Sequence, residues 1–351
     1  MLAPITHIHP FTSIRRERLL PVPGRVLVRK GQKVNSTDVI AEADLSPEYL
    51  MLDVARGLAL PAQKADQYIQ CKVGENIVEG DVVAGPVGLM KRVVRSPRNG
   101  RVVLASDGQI FLKLANPPFE LKAGLPGNVY ELVGDRGAVI EATGALIQGV
   151  WGNGRVDSGL LHILAKEPED VLQIDRLDVS LRGSVVLSGH CFQREVLAMA
   201  EELPLRGLIL ASLDHGLIPY ALKTNFPIIV IEGFGHLGLN SIAFKLLTTN
   251  EKREVALNAE PWDRFTGRKP EIVIPLPAAG ELPVLREISV FALDQTVRVL
   301  RAPCPGKIGK IVELPAEPVP LPNGLFAQSG EVRLENGNIV VLPLANLEII
   351  E

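Results

Sequence analysis

Phe226-Pro227-Ile228-Ile229-Val230-Ile231-Glu232-Gly233-Phe234-Gly235-His236-Leu237-Gly238-Leu239-Asn240 runs from an apolar stretch through glycines into a helical phrase. Four consecutive apolar residues, Ile228 to Ile231, read as a strand covered on both faces, as strands of a parallel sheet are. The spacing Gly233-x-Gly235-x-x-Gly238 follows that strand and opens a helix predicted from Asn240 to Leu247. Backbone amides and a helix N-terminus placed this way can hold an anion of phosphate or carboxylate size.

Working outward, the same strand-then-helix rhythm recurs. Val185-Val186-Leu187 leads to Gly189-His190-Cys191 and the helical phrase Arg194 to Glu202, and Leu208-Ile209-Leu210 leads to Ser212-Leu213-Asp214-His215. Glu254 to Ala259 supplies a fourth strand. The alternation predicts a Rossmann-like, central parallel-sheet three-layer α/β domain over 161–275, with binding at the carboxyl edge of its strands. His190, His215 and His236 each follow a strand where a helix begins, with Cys191 and Asp214 adjacent. The candidate ligand-binding set is therefore Gly189, His190, Asp214, His215, Gly233, Gly235, His236 and Gly238. Imidazole, thiolate and carboxylate are a donor set for a divalent metal, or for acid–base work beside an anion; the plainer reading makes the imidazoles helix caps. Glu260 stands near where a dinucleotide fold puts its ribose-binding acid, but somewhat late.

Residues 15–115 contain a repeat. Gly31, Val34, Asp38 and Ala41 recur 43 positions later as Gly74, Ile77, Asp81 and Ala84, each copy reading as strand, glycine turn, strand. Segments 24–43 and 69–86 are expected to be equivalent units of one lobe, with a helical insertion from Ser46-Pro47 to Ala65. The pattern G-x-x-V-x-x-x-D-x-x-A, with Ser96-Pro97-Arg98-Asn99-Gly100 after the second copy, resembles the barrel-sandwich hybrid fold of biotinyl and lipoyl carrier domains. That resemblance implies a barrel-sandwich hybrid lobe over 1–160. A carrier's modified lysine would fall at Met90-Lys91, but Arg92 follows where the biotinyl pattern has a second methionine, so a structural barrel is the preferred reading.

Asn-Gly and Pro-Gly pairs mark turns, and Trp151-Gly152-Asn153-Gly154 is a hairpin candidate. Glu167-Pro168-Glu169-Asp170 reads as a helix start, and 270–282 as a linker. Thr296 to Arg301, then Cys304-Pro305-Gly306-Lys307-Ile308-Gly309-Lys310, resembles the KOW-type motif of SH3-like barrels. The resemblance implies a small SH3-like barrel over 276–351. Base-stacking aromatics are missing beside its basic residues, so RNA binding is not expected there.

Composition sets the limits. A chain of 351 residues with net charge -3 lacks the long-range pull toward nucleic acid or anionic membrane that a basic chain has. Three widely spaced cysteines form no disulfide framework and no zinc knuckle, which fits a reducing, cytoplasmic setting. No stretch has the length and apolarity of a membrane helix, and no signal peptide is expected. G-x-S-x-G, Walker A and H-E-x-x-H are all missing. The expected fold class is α/β plus β, and the expected role is a non-catalytic binding or adaptor protein taking a small anionic ligand, with a protein partner. The alternative is a hydrolase or isomerase, with or without metal, using the histidine-rich edge; the sequence leaves any cofactor open. Finally, Gln148-Gly149-Val150-Trp151-Gly152-Asn153-Gly154, Glu232-Gly233-Phe234-Gly235 and Gly267-Arg268-Lys269-Pro270-Glu271-Ile272-Val273-Ile274-Pro275 together resemble a bacterial multidomain family with no assigned activity. No catalytic residues transfer from it.

Overall fold

The computed structural model describes residues 2–45, 48–89, 91–263, 265–277, 285, 289–321 and 324–351. The chain divides into two units, one made of Met1–Leu19, Val26–Ile40 and Leu121–Glu351, the other of Leu20–Arg25 and Ala41–Glu120. The first unit contains an eleven-stranded sheet. Its principal strands are β1 (Ile8–Leu19), β2 (Gly127–Val133), β3 (Gly137–Gln148), β4 (Val156–Ile163), β5 (Ser184–Cys191), β6 (Gly207–Leu213), β7 (Ile228–Phe234), β8 (Glu254–Asn258) and β9 (Glu271–Pro275). Across the sheet the order is Trp151–Gly152, β7, β6, β5, β4, β8, β9, β3, β2 and Lys33–Val34, with β1 also pairing with β3.

Strands β4 to β7 are parallel neighbours. Strand β8 runs antiparallel to β4, β9 antiparallel to β8, and β3 antiparallel to both β9 and β1. The expected three-layer, Rossmann-like α/β domain is therefore not what the chain forms. The parallel strands are one segment of a mixed sheet, the strand at 254–258 closes it in the opposite direction, and Glu271–Pro275, read as linker, is an interior strand. Strand makes up 46% of the structure and helix 14%, too little helix to build a layer on each face. The physical reason is that burial on both faces erases the period-two pattern whichever way a strand runs. Ile272, Val273 and Ile274 of β9 are as buried as Val185, Val186 and Leu187 of β5.

Alternate side chains of the parallel segment feed two cores. On one face Val186, Leu208, Leu210, Ile228 and Val230 meet Val196, Leu197 and Ala200 of helix α1 (Arg194–Glu202), whose apolar residues fall on one side. On the other, Val185, Leu187, Ile209, Ala211, Ile229 and Ile231 meet Ala243 and Leu247 of α2 (Ser241–Thr248) together with Ile308 and Ile350 of the C-terminal strands. Helix α2 begins at Asn240, whose Oδ1 accepts from Ala243 N at 2.8 Å, so its boundary was legible from the N-cap. The C-terminal strands β10 (Thr296–Val299) and β11 (Leu347–Ile350) belong to a six-stranded sheet with its own core of Val297, Val299, Ile311, Val332 and Leu347.

The second unit has a four-stranded sheet ordered Tyr49–Asp53, Gln109–Leu114, Gly100–Ser106, Asn76–Ile77. The insertion read as helical is thus a strand followed by short helices at Val54–Leu58 and Ala62–Ala65; Ser46 and Pro47 lie outside the described residues. The two repeat copies share their local bonding. Asn35 N donates to Asp38 Oδ2 and Val78 N to Asp81 Oδ2, each at 2.8 Å. Gly31 N reaches Val129 O at 2.7 Å, and Gly74 N reaches Val102 O at 2.8 Å. They do not form one lobe, since 26–40 falls in the first unit and 69–86 in the second. Lys91 is exposed between the strands Val82–Val87 and Arg92–Arg95, while Met90 lies outside the described residues. Two smaller readings also change. Trp151–Gly152 pairs with β7 as an edge strand, and 167–170 forms a turn in which Asp170 pairs with Arg176 at 2.6 Å.

Candidate functional site

The parallel register brings His190, Ser212 and Gly233 side by side at the carboxyl ends of β5, β6 and β7, with His190 paired to Ser212 and Ser212 to Gly233. The loop after β7 then folds back over this edge, so that the His236 ring lies 4.9 Å from the His190 ring, centroid to centroid. Phe192 stacks on the other side of His190 at 5.9 Å. Of the candidate residues, His190, Gly233 and His236 are thus brought together. His215 is not: it stands exposed at the start of a short turn, 3.9 Å from the carboxylate of Asp214. Asp214 caps that turn by accepting from Gly216 N at 2.8 Å.

Hydrogen counting fixes the tautomer of His190. Ser212 Oγ lies 2.7 Å from Leu237 O, to which it must donate, and 3.1 Å from Leu237 N, from which it accepts. Its one proton is spent, so His190 Nδ1, 2.9 Å away, is the donor of the pair. That leaves the Nε2 lone pair bare beside His236, with no hydrogen bond to it among the described residues. Burial first, then the neighbouring His236, holds the His190 imidazole below its ordinary basicity. Ser212 and Phe192 were not singled out from the sequence; the signal for Ser212 is the parallel register, which shows only once the strands are aligned.

The glycine loop does not form the anion cradle that its spacing predicts. Gly235 N donates to Leu213 O, Leu237 N to Ser212 Oγ, and Leu239 N to Pro168 O. Asn240 N and Nδ2 both donate to Glu232 Oε1, at 3.0 and 2.6 Å, so the charge near the start of α2 is the chain's own carboxylate. Gly238 and Gly189 serve close packing: a Cβ on Gly238 would meet Glu169 Cγ at 3.0 Å, and one on Gly189 would meet Asp170 O at 1.7 Å. Gly235 differs, with φ +88° and open space where a Cβ would project. Glu260 is held by both terminal nitrogens of Arg18, each at 2.5 Å, and so is not placed for a ribose.

Glu232 also anchors a buried ion cluster. Its Oε2 accepts from Arg298 Nη1 at 2.9 Å, Arg298 Nη2 donates to Glu348 Oε2 at 2.5 Å, and Lys269 Nζ and Thr6 Oγ1 both reach Glu348 Oε1. Burial works against the Glu348 charge, but Arg298 and Lys269 outweigh it and bring the carboxyl down to about 2. Arg298 is 1% exposed and ties β10 to β7.

Two nucleophile candidates are closed off. Burial pushes the Cys191 thiol up to about 12. Ser212 Oγ is committed to Leu237. Among the described residues no three His, Cys, Asp or Glu side chains form a metal-binding group, and no helix is long and apolar enough to cross a membrane. No protein-family model and no curated protein matches this chain.

Proposed function

We propose that this is a binding protein whose small anionic ligand docks against the His190–His236 pair at the carboxyl edge of β5 to β7. The observation that carries the reading is the fixed Nδ1–H tautomer of His190, which leaves Nε2 as the one uncommitted polar atom of a nearly buried ring, 6% exposed. An anion arriving there is held most strongly when Nε2 is protonated and donates to it, so binding takes up a proton. Because His190 is less basic than an ordinary imidazole in the free protein, that proton has to be drawn from solvent at neutral pH and affinity rises as pH falls. Gly233 and Gly235, at φ +137° and +88°, give the backbone turn that leads from β7 to His236. The sealed state of Cys191 and Ser212 favours binding over covalent chemistry. The same lone pair supports the second reading, in which His190 is a general base acting on a bound substrate.

Calorimetric titration of the full chain with inorganic phosphate tests the proposal. Tighter binding at pH 5.5 than at 7.5, a heat that depends on the buffer's ionisation enthalpy, and loss of binding in His190→Gln are expected. Affinity independent of pH, or unchanged in His190→Gln, removes the site.

A further inference from the structure

A second site, remote in sequence from His190 and His236, lies along β1. This twelve-residue strand pairs with β3 from Leu19↔Gly137 to Ile8↔Ile147. A Cβ on Gly137 would sit 2.0 Å from Arg18 O, so the Arg18 carbonyl faces β3. In an antiparallel ladder each residue turns both its N–H and its C=O to one neighbour, and the next residue turns them the other way. The backbone groups of Ser13, Arg15, Glu17 and Leu19 therefore face away from β3. The side chain of Arg16 agrees, since its Nη1 reaches round to Arg15 O at 2.8 Å. Among the described residues no strand pairs with this outer edge.

A groove of 1380 Å³ runs there, lined by every residue from Arg15 to Leu19 in succession. Successive side chains of a strand point to opposite faces, so a cavity touching all of them follows the edge and not a face. Its volume exceeds the roughly 300–1,000 Å³ of an ordinary small-molecule pocket. The loop between β8 and β9 contributes Trp262 and Phe265, 57% and 84% exposed. Within that loop Asp263 accepts from Phe265 N at 2.9 Å and from Thr266 Oγ1 at 2.6 Å. Aromatics facing water are a feature of recognition surfaces. His7, 7% exposed, also lines the groove, and its Nδ1 is buried with no hydrogen-bond partner among the described residues.

The charges narrow the occupant. Arg16 with Glu271, Arg18 with Glu260 and Lys269 with Glu348 are paired within the groove, which leaves no strong net field. Among the described residues no ion pair involves Glu17 or Arg268. We infer that the outer edge of β1 receives an extended peptide segment of a partner protein as an added strand, with a basic side chain toward Glu17, an acidic one toward Arg268 and an apolar one against Trp262. Main-chain bonds to Ser13, Arg15, Glu17 and Leu19 hold the peptide, and the flanking side chains select it.

Ten-residue peptides selected by phage display on the full chain, then measured by fluorescence anisotropy, test this. Glu17→Pro removes an N–H that faces the groove and spares the β3 ladder, a placement that edge strands tolerate. It is expected to weaken the selected peptide about tenfold or more, the worth of one to two hydrogen bonds, while phosphate binding stays as in the wild type. Should that variant fold poorly, the peptide N-methylated at alternate amides gives the same reading: methylation in one register abolishes binding and in the other does not. Enrichment no better than on an unrelated protein, wild-type affinity in a folded Glu17→Pro, or indifference to the register of methylation overturns the inference.

Discussion

Two polar regions of the first unit handle buried polarity in opposite ways. Around Arg298 both terminal guanidinium nitrogens bond to a carboxylate or carbonyl, Nε is buried with no partner among the described residues, and Glu232, Glu348, Lys269 and Thr6 complete the cluster. Around His190 one nitrogen is committed to Ser212 and the other is left open next to a second imidazole. Pairing each cation with a carboxylate offsets most of the cost of charge in the core and holds β10 against β7. Arg298 Nε is sealed in the core, whereas His190 Nε2 stands at a strand-end edge beside a second imidazole, and that is why the histidine edge, and not the ion cluster, is assigned to ligand.

The largest effect that can break this contrast comes from Arg298. Arg298→Ala leaves Glu232 buried without its cation and Glu348 with Lys269 alone, and is expected to cost about 3–5 kcal/mol of stability by urea unfolding. A cost near zero means that the cluster is wetter than its geometry, and the contrast with His190 loses its footing.

A buried imidazole with no outlet sharpens the comparison. Burial first, then His9 and the cations Arg16 and Lys269, lowers His7 to about 4 against the opposing pull of Glu271. The folded protein then binds fewer protons than the unfolded chain between pH 6.5 and 4. Stability therefore falls as pH drops through that window, by about 3 kcal/mol in all. His7→Gln flattens the upper part of it, measured as the unfolding midpoint between pH 6.5 and 5. Glu348 contributes only lower down, since its stabilisation is complete above about 4.5 and is lost as pH falls toward 2. An equal slope in wild type and His7→Gln contradicts the assignment.

Smallest in energy is Ser212→Ala. It removes the partner of His190 Nδ1 at an expected cost of about 1 kcal/mol, yet it frees the tautomer. Phosphate affinity should drop more than stability does, and equal losses point to a structural role alone.

How far these features could be read from sequence follows from the range over which each is encoded. Local signals came through: the Asn240 cap, the helix at 194–202, the turn acids Asp38 and Asp81, and the placement of His190 and His236 where strands end. Strand direction did not, because Ile272-Val273-Ile274 and Val185-Val186-Leu187 are equally buried and their order in the sheet is set by chain connections. Glycine spacing misled for a related reason. Gly233, Gly235 and Gly238 do lie between a strand and a helix, but the loop amides of Gly235, Leu237 and Leu239 are taken by Leu213, Ser212 and Pro168, contacts formed only when distant segments meet. The Glu232–Arg298 pair spans 66 residues and carries no local signature.

Nitrogen NMR of the His190 side chain in the free protein tests the central claim most directly. At pH 7.5 the account predicts a neutral ring with its proton on Nδ1 and none on Nε2, becoming doubly protonated when phosphate is added. A proton on Nε2 in the free state, or a ring whose signals ignore phosphate, contradicts it.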